Sequence, residues 1–441
     1  MAKHLIAGLA LLGALGVVGP SAAQPVVAPD RLDDASTEGD TFASMGDFAW
    51  RAFIALNWPS VTGERGAPDR AKTLGDSGPR VWETFKSAAE TFPFDENGRR
   101  MAPAAWGSYS GPNPCGGESG QKTIAAFRPF AEFNQPSFAL HSPANPLVAE
   151  NGEYVRYEVR FNEAEFSTFL TNGWSEGRGL PDAEHPARFP VGSIEVKAAW
   201  RPLNASDVPG VRSRYLVTRA AVVDVAKSLA AGHIACSTRD VALVGLHVVI
   251  KTKTKAQWIW STFEHVDNVP PAGAGEPDAK DAGAPYGFFD ASRPAKLWPP
   301  FGAADTLPVD WDNPPRVTPA AMQVVRRHPI DAAFMATNRA YWALPGVKGT
   351  VFEHYMLVAS QWPTNADPPS PQNDGAYFPG SADASRVVGE SYRATAAVQE
   401  NLINTTMETY LQEAPSSCMA CHQSVSNVHG DDFVGLLAGM K

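Results

Sequence analysis

Apolar residues recur at three- and four-residue steps over residues 41–57, where Phe42, Met45, Ala49, Phe53 and Leu56 would share one helix face. Asp40 or Thr41 supplies a cap and Pro59 stops the run. A short helix is expected over 79–92 around Val81, Trp82 and Phe85. Another is expected over 153–172, carrying Phe161, Phe166, Phe169 and Leu170 and ended by Gly173. The period then changes. Residues 193–200 alternate Ile194, Val196 and Ala198 with Glu195 and Lys197, the mark of a half-buried strand. Residues 214–225 are β-branched and strand-like. Residues 241–252 and 256–266 read as two long strands of a hairpin around a Lys/Thr turn.

Residues 102–122 form a Gly/Pro/Ser loop, and 267–316 a long Pro/Gly-rich stretch. The aromatic residues in the latter (Tyr286, Phe288, Phe289, Trp298, Phe301, Trp311) favour a loop packed on the body over a free tether. Thr318-Pro319 opens a helix that Pro329 interrupts. A helix over 331–344, a strand over 351–362, a second Pro-rich loop over 363–384 and a long amphipathic helix over 386–413 complete the pattern. The expected fold class is α+β: a central antiparallel sheet with surrounding helices and long Pro/Gly-rich loops. The expected organisation is a signal peptide over 1–23, an α+β body over 24–384, and a C-terminal helix and attachment segment over 385–441, packed on the body.

Composition supports a packed globular chain, with 44% hydrophobic and 19% charged residues in 441. The net charge of −10 gives no basic footprint and argues against nucleic acid as a partner. At the N-terminus, Lys3 and His4 precede an uncharged apolar run over 5–18, then Gly19-Pro20 and the small residues Ser21-Ala22-Ala23. This is the layout of a secretory signal, and the run is shorter than the ~20 residues that cross a bilayer. Periplasmic export and no membrane span in the mature chain are therefore expected.

There are four cysteines. Two lie in Cys418-Met419-Ala420-Cys421-His422, the Cys-x-x-Cys-His pattern of covalent c-type haem attachment. Two thiols one helical turn apart can add to the two vinyl groups of one haem, and the adjacent His422 can turn its imidazole onto the iron. One covalent haem c is expected, with Cys418, Cys421 and His422 binding it and His422 as the proximal iron ligand. Only 19 residues follow His422, too few for the fold that small electron-carrying cytochromes build after this site. The other two cysteines, Cys115 and Cys236, either pair in an oxidising compartment or stay as buried thiols.

The sixth iron position is filled by a residue of the body or left open. Met440, Met407, His265 and His247 are candidates, with His429 and His354 behind them. Strand alternation places His247 and Lys251 on one face, Glu195 and Lys197 on one face, and Trp258, Trp260, Thr262 and Glu264 on one face of the last strand. The expectation is a solvated sheet face with cross-strand ion pairs. Turned inward, the same Glu/Lys/His groups would have to pair and would form an acid–base site. The tryptophans Trp200, Trp258 and Trp260 are read as core, with a role bordering a ligand as the alternative.

Beyond the pentapeptide, Glu195-x-Lys197-x-x-Trp200, His247 through Lys251-Thr252, Trp258-x-Trp260-x-Thr262-Phe263-Glu264-His265 and Asn404-Thr405-Thr406-Met407-Glu408-Thr409 carry a longer resemblance. In these runs the chain resembles large exported bacterial monohaem proteins described only as cytochrome c family. The resemblance implies one haem, export and a non-cytochrome body, and it adds no substrate. The leading expectation is periplasmic electron transfer with a redox partner protein. The alternatives are a haem-dependent oxidoreductase, peroxidase- or oxidase-like, with a small-molecule substrate between haem and sheet, and a haem-containing sensor or binding protein.

Overall fold

A computed structural model describes residues 41–95, 97–109, 115, 123–124, 147–182, 184–207, 209–224, 227, 231, 235–255, 258–273, 275–281, 283–293, 321–362, 404–409, 412 and 432. It is mixed α+β, with seven antiparallel strands and a few helices. The strands are β1 (Lys86–Ser87), β3 (Arg156–Phe161), β4 (Ile194–Pro202), β5 (Val217–Val223), β6 (Cys236–Ile250), β7 (Ile259–His265) and β8 (Tyr355–Gln361). A short β2 (Thr123–Ile124) joins β5 in parallel. The helices are α1 (Phe42–Leu56), α2 (Ala88–Thr91), α3 (Glu163–Thr171), α4 (Val211–Arg214) and α5 (Ala332–Trp342).

The 15-residue β6 organises the sheet. β4 runs along one side of it, with β3 and β1 beyond. On its other side the partners divide. β5 pairs the first half, from Cys236 to Ala242, and β7 the second, from Gly245 to Ile250, with β8 outside β7. Tyr355 closes the fork: its hydroxyl accepts the Leu216 N–H at 3.0 Å and donates to the Leu243 carbonyl at 2.9 Å. A bulge between Ala199 and Trp200 sets Ala199 opposite Gly245 and Trp200 opposite Leu243.

One face of this sheet is the main core. Ile194, Val196, Ala198, Trp200, Leu246, Val248 and Phe263 pack there against Phe48, Trp50 and Phe53 of α1 and Phe334 of α5. The expected α1 spacing is borne out, with Thr41 capping through Ser44 and the amphipathic face buried. Asp331 caps α5 by accepting the Ala333 N–H at 2.8 Å.

Four local expectations need correction. Residues 79–92 form a 3-10 turn, the two-residue β1 and one turn of helix. Residues 153–172 divide into β3 and α3, because Asn162 caps a new helix just where the strand ends. Residues 321–330, within the expected Pro-interrupted helix, are irregular. Of the helix expected over 386–413, residues 404–409 are described and form a turn. Asn404 Oδ1 takes both the backbone N–H and the hydroxyl of Thr406, and the Glu408 N–H bonds the Asn404 carbonyl at 2.9 Å, so Asn404 caps a helical turn that starts there. Apart from Gln412, the rest of that stretch lies outside the described residues.

Cys115 and Cys236 are disulfide-bonded, with Cα atoms 5.3 Å apart and a sequence separation of 121. The bond ties the start of β6 to the Gly/Pro/Ser loop and is consistent with an extracytoplasmic protein. Among the described residues no helix is long and apolar enough to cross a membrane.

Candidate functional site

The second face of the sheet is buried too, which overturns the solvated face expected from alternation. The reason is tertiary: residues 404–409, with Arg326 and Asp432, lie over it. Apolar clusters occupy its two ends. Val159, Phe161, Val249, Trp258 and Trp260 gather at one, and Tyr157, Ala199, Val244, Met322 and Met407 at the other. Between them runs a band of Lys197, His247, Gly245, Thr262 and Glu264, adjacent through the registers Lys197↔His247, His247↔Thr262 and Gly245↔Glu264.

The 404–409 turn is hydrogen-bonded into this band and its flank. Asn404 Nδ2 donates to Thr262 Oγ1 and the Phe263 carbonyl, both at 2.9 Å. The Thr405 N–H donates to Glu264 Oε1, and its hydroxyl to Oε2 at 2.8 Å. Tyr157 donates to the Thr406 carbonyl at 2.6 Å. A Cβ on Gly245 would overlap the Thr406 hydroxyl and press on Asn404, so glycine is required here by close approach, its φ being unexceptional.

Glu264 is fully buried and meets Arg326 at 2.6 Å. Burial pushes its carboxyl above the ordinary range, with Arg326 and the two Thr405 bonds acting against that. Three chain segments thus meet on one carboxylate: β7, the stretch before α5 and the 404–409 turn. Downstream, Gln412 is held by the Val325 carbonyl and the Arg327 N–H, each at 3.0 Å.

At the far end of the band, Lys251 meets Asp432 at 2.6 Å, and Asp432 also accepts the Phe189 N–H at 3.0 Å. Glu165, on α3, is completely buried there with no hydrogen bond to either carboxyl oxygen. Burial pushes its pKa well above the ordinary value, and the nearby Glu195 and Asp432 carboxylates push the same way. Among the described residues no group of three or more His, Cys, Asp or Glu is placed to hold a metal ion.

The expected site residues divide sharply. Cys418, Cys421, His422, His429 and Met440 lie outside the described residues. His265 is fully buried at the fork, where its ring stacks on Tyr215 at 3.5 Å. Its Nε2–H donates to the Arg214 carbonyl and its Nδ1 accepts the Asp267 N–H, each at 3.1 Å. Both nitrogens are thereby used by backbone, and burial lowers the ring's pKa to about 3. His354 is half-buried beside Glu353, its Nε2 3.8 Å from that carboxylate. Met407 is wholly buried in an apolar cluster with Tyr157 and Met322. Trp200, Trp258 and Trp260 are core residues. Trp258 adopts a left-handed backbone with φ 72°.

His247 differs from these. It sits in the polar band, buried, with Nε2 3.2 Å from Glu408 Oε1, yet neither of those two atoms makes a hydrogen bond. Glu408 is held from its other oxygen by the Asn404 N–H at 3.1 Å. Sequence reading singled out Glu195, Lys197, His247, Lys251 and Glu264 but not their partners Glu408, Asp432 and Arg326, which come from distant segments with no local signal. A search of family models, curated proteins and solved structures found no match for this chain.

Proposed function

We propose that this is an exported monohaem c-type protein that passes single electrons to or from a redox partner protein. The observation that carries the reading is the Cys418-x-x-Cys421-His422 pattern lying between two anchored chain points, Gln412, held by the 325–328 stretch, and Asp432, held by Lys251. Cys418 is six residues past Gln412, which limits their separation to about 20 Å of extended chain.

The donor chemistry fits the group: two thiols for covalent attachment and one imidazole for the iron. Cys418, Cys421 and His422 would hold the haem, and when bound it would supply one-electron exchange. The part of the body is to fix the flanks of the attachment segment through Glu264, Arg326 and Lys251. The Cys115–Cys236 disulfide supports an oxidising compartment.

The test is a reduced-minus-oxidised spectrum of the exported, purified chain. A c-type α-band that survives denaturation, and is lost in the Cys418→Ala, Cys421→Ala double variant, is expected. A colourless wild-type protein, or a double variant still holding covalent haem, would sink the proposal.

A further inference from the structure

We infer that His247 and Glu408 form an acid-set latch: a proton held between them fastens the 404–409 turn to the sheet, and its loss loosens that turn. The inference uses β6 and the turn alone and is independent of the haem reading.

The starting point is an imbalance in hydrogen bonding. Buried polar atoms without a partner are few, and each one calls for a cause. Here two of them face each other. His247 Nε2 and Glu408 Oε1 are 3.2 Å apart, both residues are buried, and neither atom makes a hydrogen bond. The contacts beside them are complete: Asn404 is bonded to Thr262 and to the Phe263 carbonyl, Thr405 to Glu264, and the Thr406 carbonyl to Tyr157. The contact left open is the one between a base and a carboxylate.

One proton closes it. An ionised carboxylate can only accept, and a neutral imidazole carries its hydrogen on one nitrogen of two. With that hydrogen on Nδ1, two acceptors oppose each other. With it on Nε2, the donor is uncharged. The protonated ring presents a charged donor to a charged acceptor, the stronger kind of bond, and at 3.2 Å a small turn of either side chain aligns it. Burial enlarges the difference between these states. The change requires no space beyond that of a proton.

Glu408 carries the effect into the turn. Its other oxygen takes the Asn404 N–H at 3.1 Å, and its own N–H bonds the Asn404 carbonyl at 2.9 Å. The residue that meets His247 therefore also holds the residue that starts the turn.

The charges around the ring are few. From β4, Lys197 lies opposite His247 in register, and its ammonium opposes charge on the ring; Glu195 follows two residues along. From β7, the neighbour is the uncharged Thr262. From the turn, Glu408 favours the charged ring. Farther along the same face Glu264 is engaged by Arg326 and Lys251 by Asp432. Imidazole is the side chain whose charge ordinarily changes between about pH 5 and 8, so the latch is set toward the acid end of that range and released toward the other. His265 acts with the opposite sign, weakening the whole protein toward acid, so tightening of the turn at low pH is no by-product of it.

The experiment follows the full-length exported protein across about pH 5 to 8. Nitrogen NMR of labelled histidine rings reads the His247 titration, its signal identified by loss in His247→Gln. Hydrogen exchange at residues 405–408, corrected for the intrinsic pH dependence of exchange, reads the fastening of the turn. The ring should titrate within the range, and protection of the turn should fall about 10-fold or more from acid to alkaline pH, the scale of one hydrogen bond to a charged group. In Glu408→Gln and in His247→Gln that pH dependence should disappear. A wild-type ring that does not titrate, wild-type protection that does not change with pH, or a pH dependence that persists in Glu408→Gln each overturns the inference. Titration and exchange of the wild type decide the matter without either variant, should one fail to fold.

Discussion

Gly245 lies directly beneath Thr406: a side chain at the centre of β6 would occupy the space of the threonine hydroxyl. The central strand therefore omits a side chain at the one place where a segment over 150 residues away is seated on it. Gly245→Ala should destabilise the protein by about 1–3 kcal/mol through overpacking. Thr406→Ala on the same background should return part of that loss, because the pair is coupled. Urea unfolding of the two single variants and the double variant measures both effects, and additive losses would argue against the contact.

Glu264 and Arg326 form a pair on which three segments converge. Removing one partner leaves a buried charge, so Glu264→Leu or Arg326→Met alone should cost about 3–5 kcal/mol. Replacing both with apolar residues of similar volume should cost far less than the two single losses added together. A thermal-unfolding double-mutant cycle reads the coupling. Near-additive losses would show that the pair is not a unit.

His265 should make the protein acid-sensitive. Burial lowers its pKa from 6.5 to about 3, with Asp267 opposing the shift. Below 6.5 the unfolded chain takes up a proton that the native state refuses. Stability therefore falls as pH drops from about 6.5 towards 3, by ~1.4 kcal/mol per pH unit from this group. His265→Asn should lose stability at neutral pH but lack that component of the slope. Unfolding free energies measured from pH 4 to 7 would show parallel curves for the two proteins if His265 titrates normally.

Glu165 should act in the opposite direction. Burial, with Glu195 and Asp432 adding to it, raises its pKa well above 4.5. The native state then keeps a proton that the unfolded chain has released. Stability from this group is present at pH below 4.5 and declines as pH rises above it. Glu165→Gln, which cannot ionise, should remove the decline, so its stability relative to wild type should improve from acid to neutral pH. A constant difference across that range would mean the carboxyl is ionised in the native state.

The Cys115–Cys236 disulfide closes a long loop onto the edge of the sheet. Cys115→Ser with Cys236→Ser should lower stability by about 4–5 kcal/mol if loop-closure entropy dominates. Chemical denaturation of oxidised wild type against the double variant tests it. Equal midpoints would show that the bond adds nothing.

Local pattern carried much of the fold. The α1 spacing, its cap at Thr41, the helix over 331–344, the alternation around Glu195 and the long β6–β7 hairpin were all readable, because period and capping are properties of neighbouring residues. Element type failed where one local signal overrode another. Asn162 ends β3 and caps α3. The candidate chemistry was legible by residue type and not by role. His247 and His265 look alike as strand histidines, yet backbone groups occupy both nitrogens of His265 and neither of His247.

The sequence alone determined that the chain is α+β and that residues 418–422 carry a Cys-x-x-Cys-His pattern. Tertiary structure alone decided that the second face of the sheet is buried, because what covers it comes from residues 326, 404–409 and 432. Alternation specifies which side chains share a face. Whether that face meets water depends on which distant segments fold over it, and the pairings Glu408–His247, Arg326–Glu264 and Asp432–Lys251 exist only once those segments arrive.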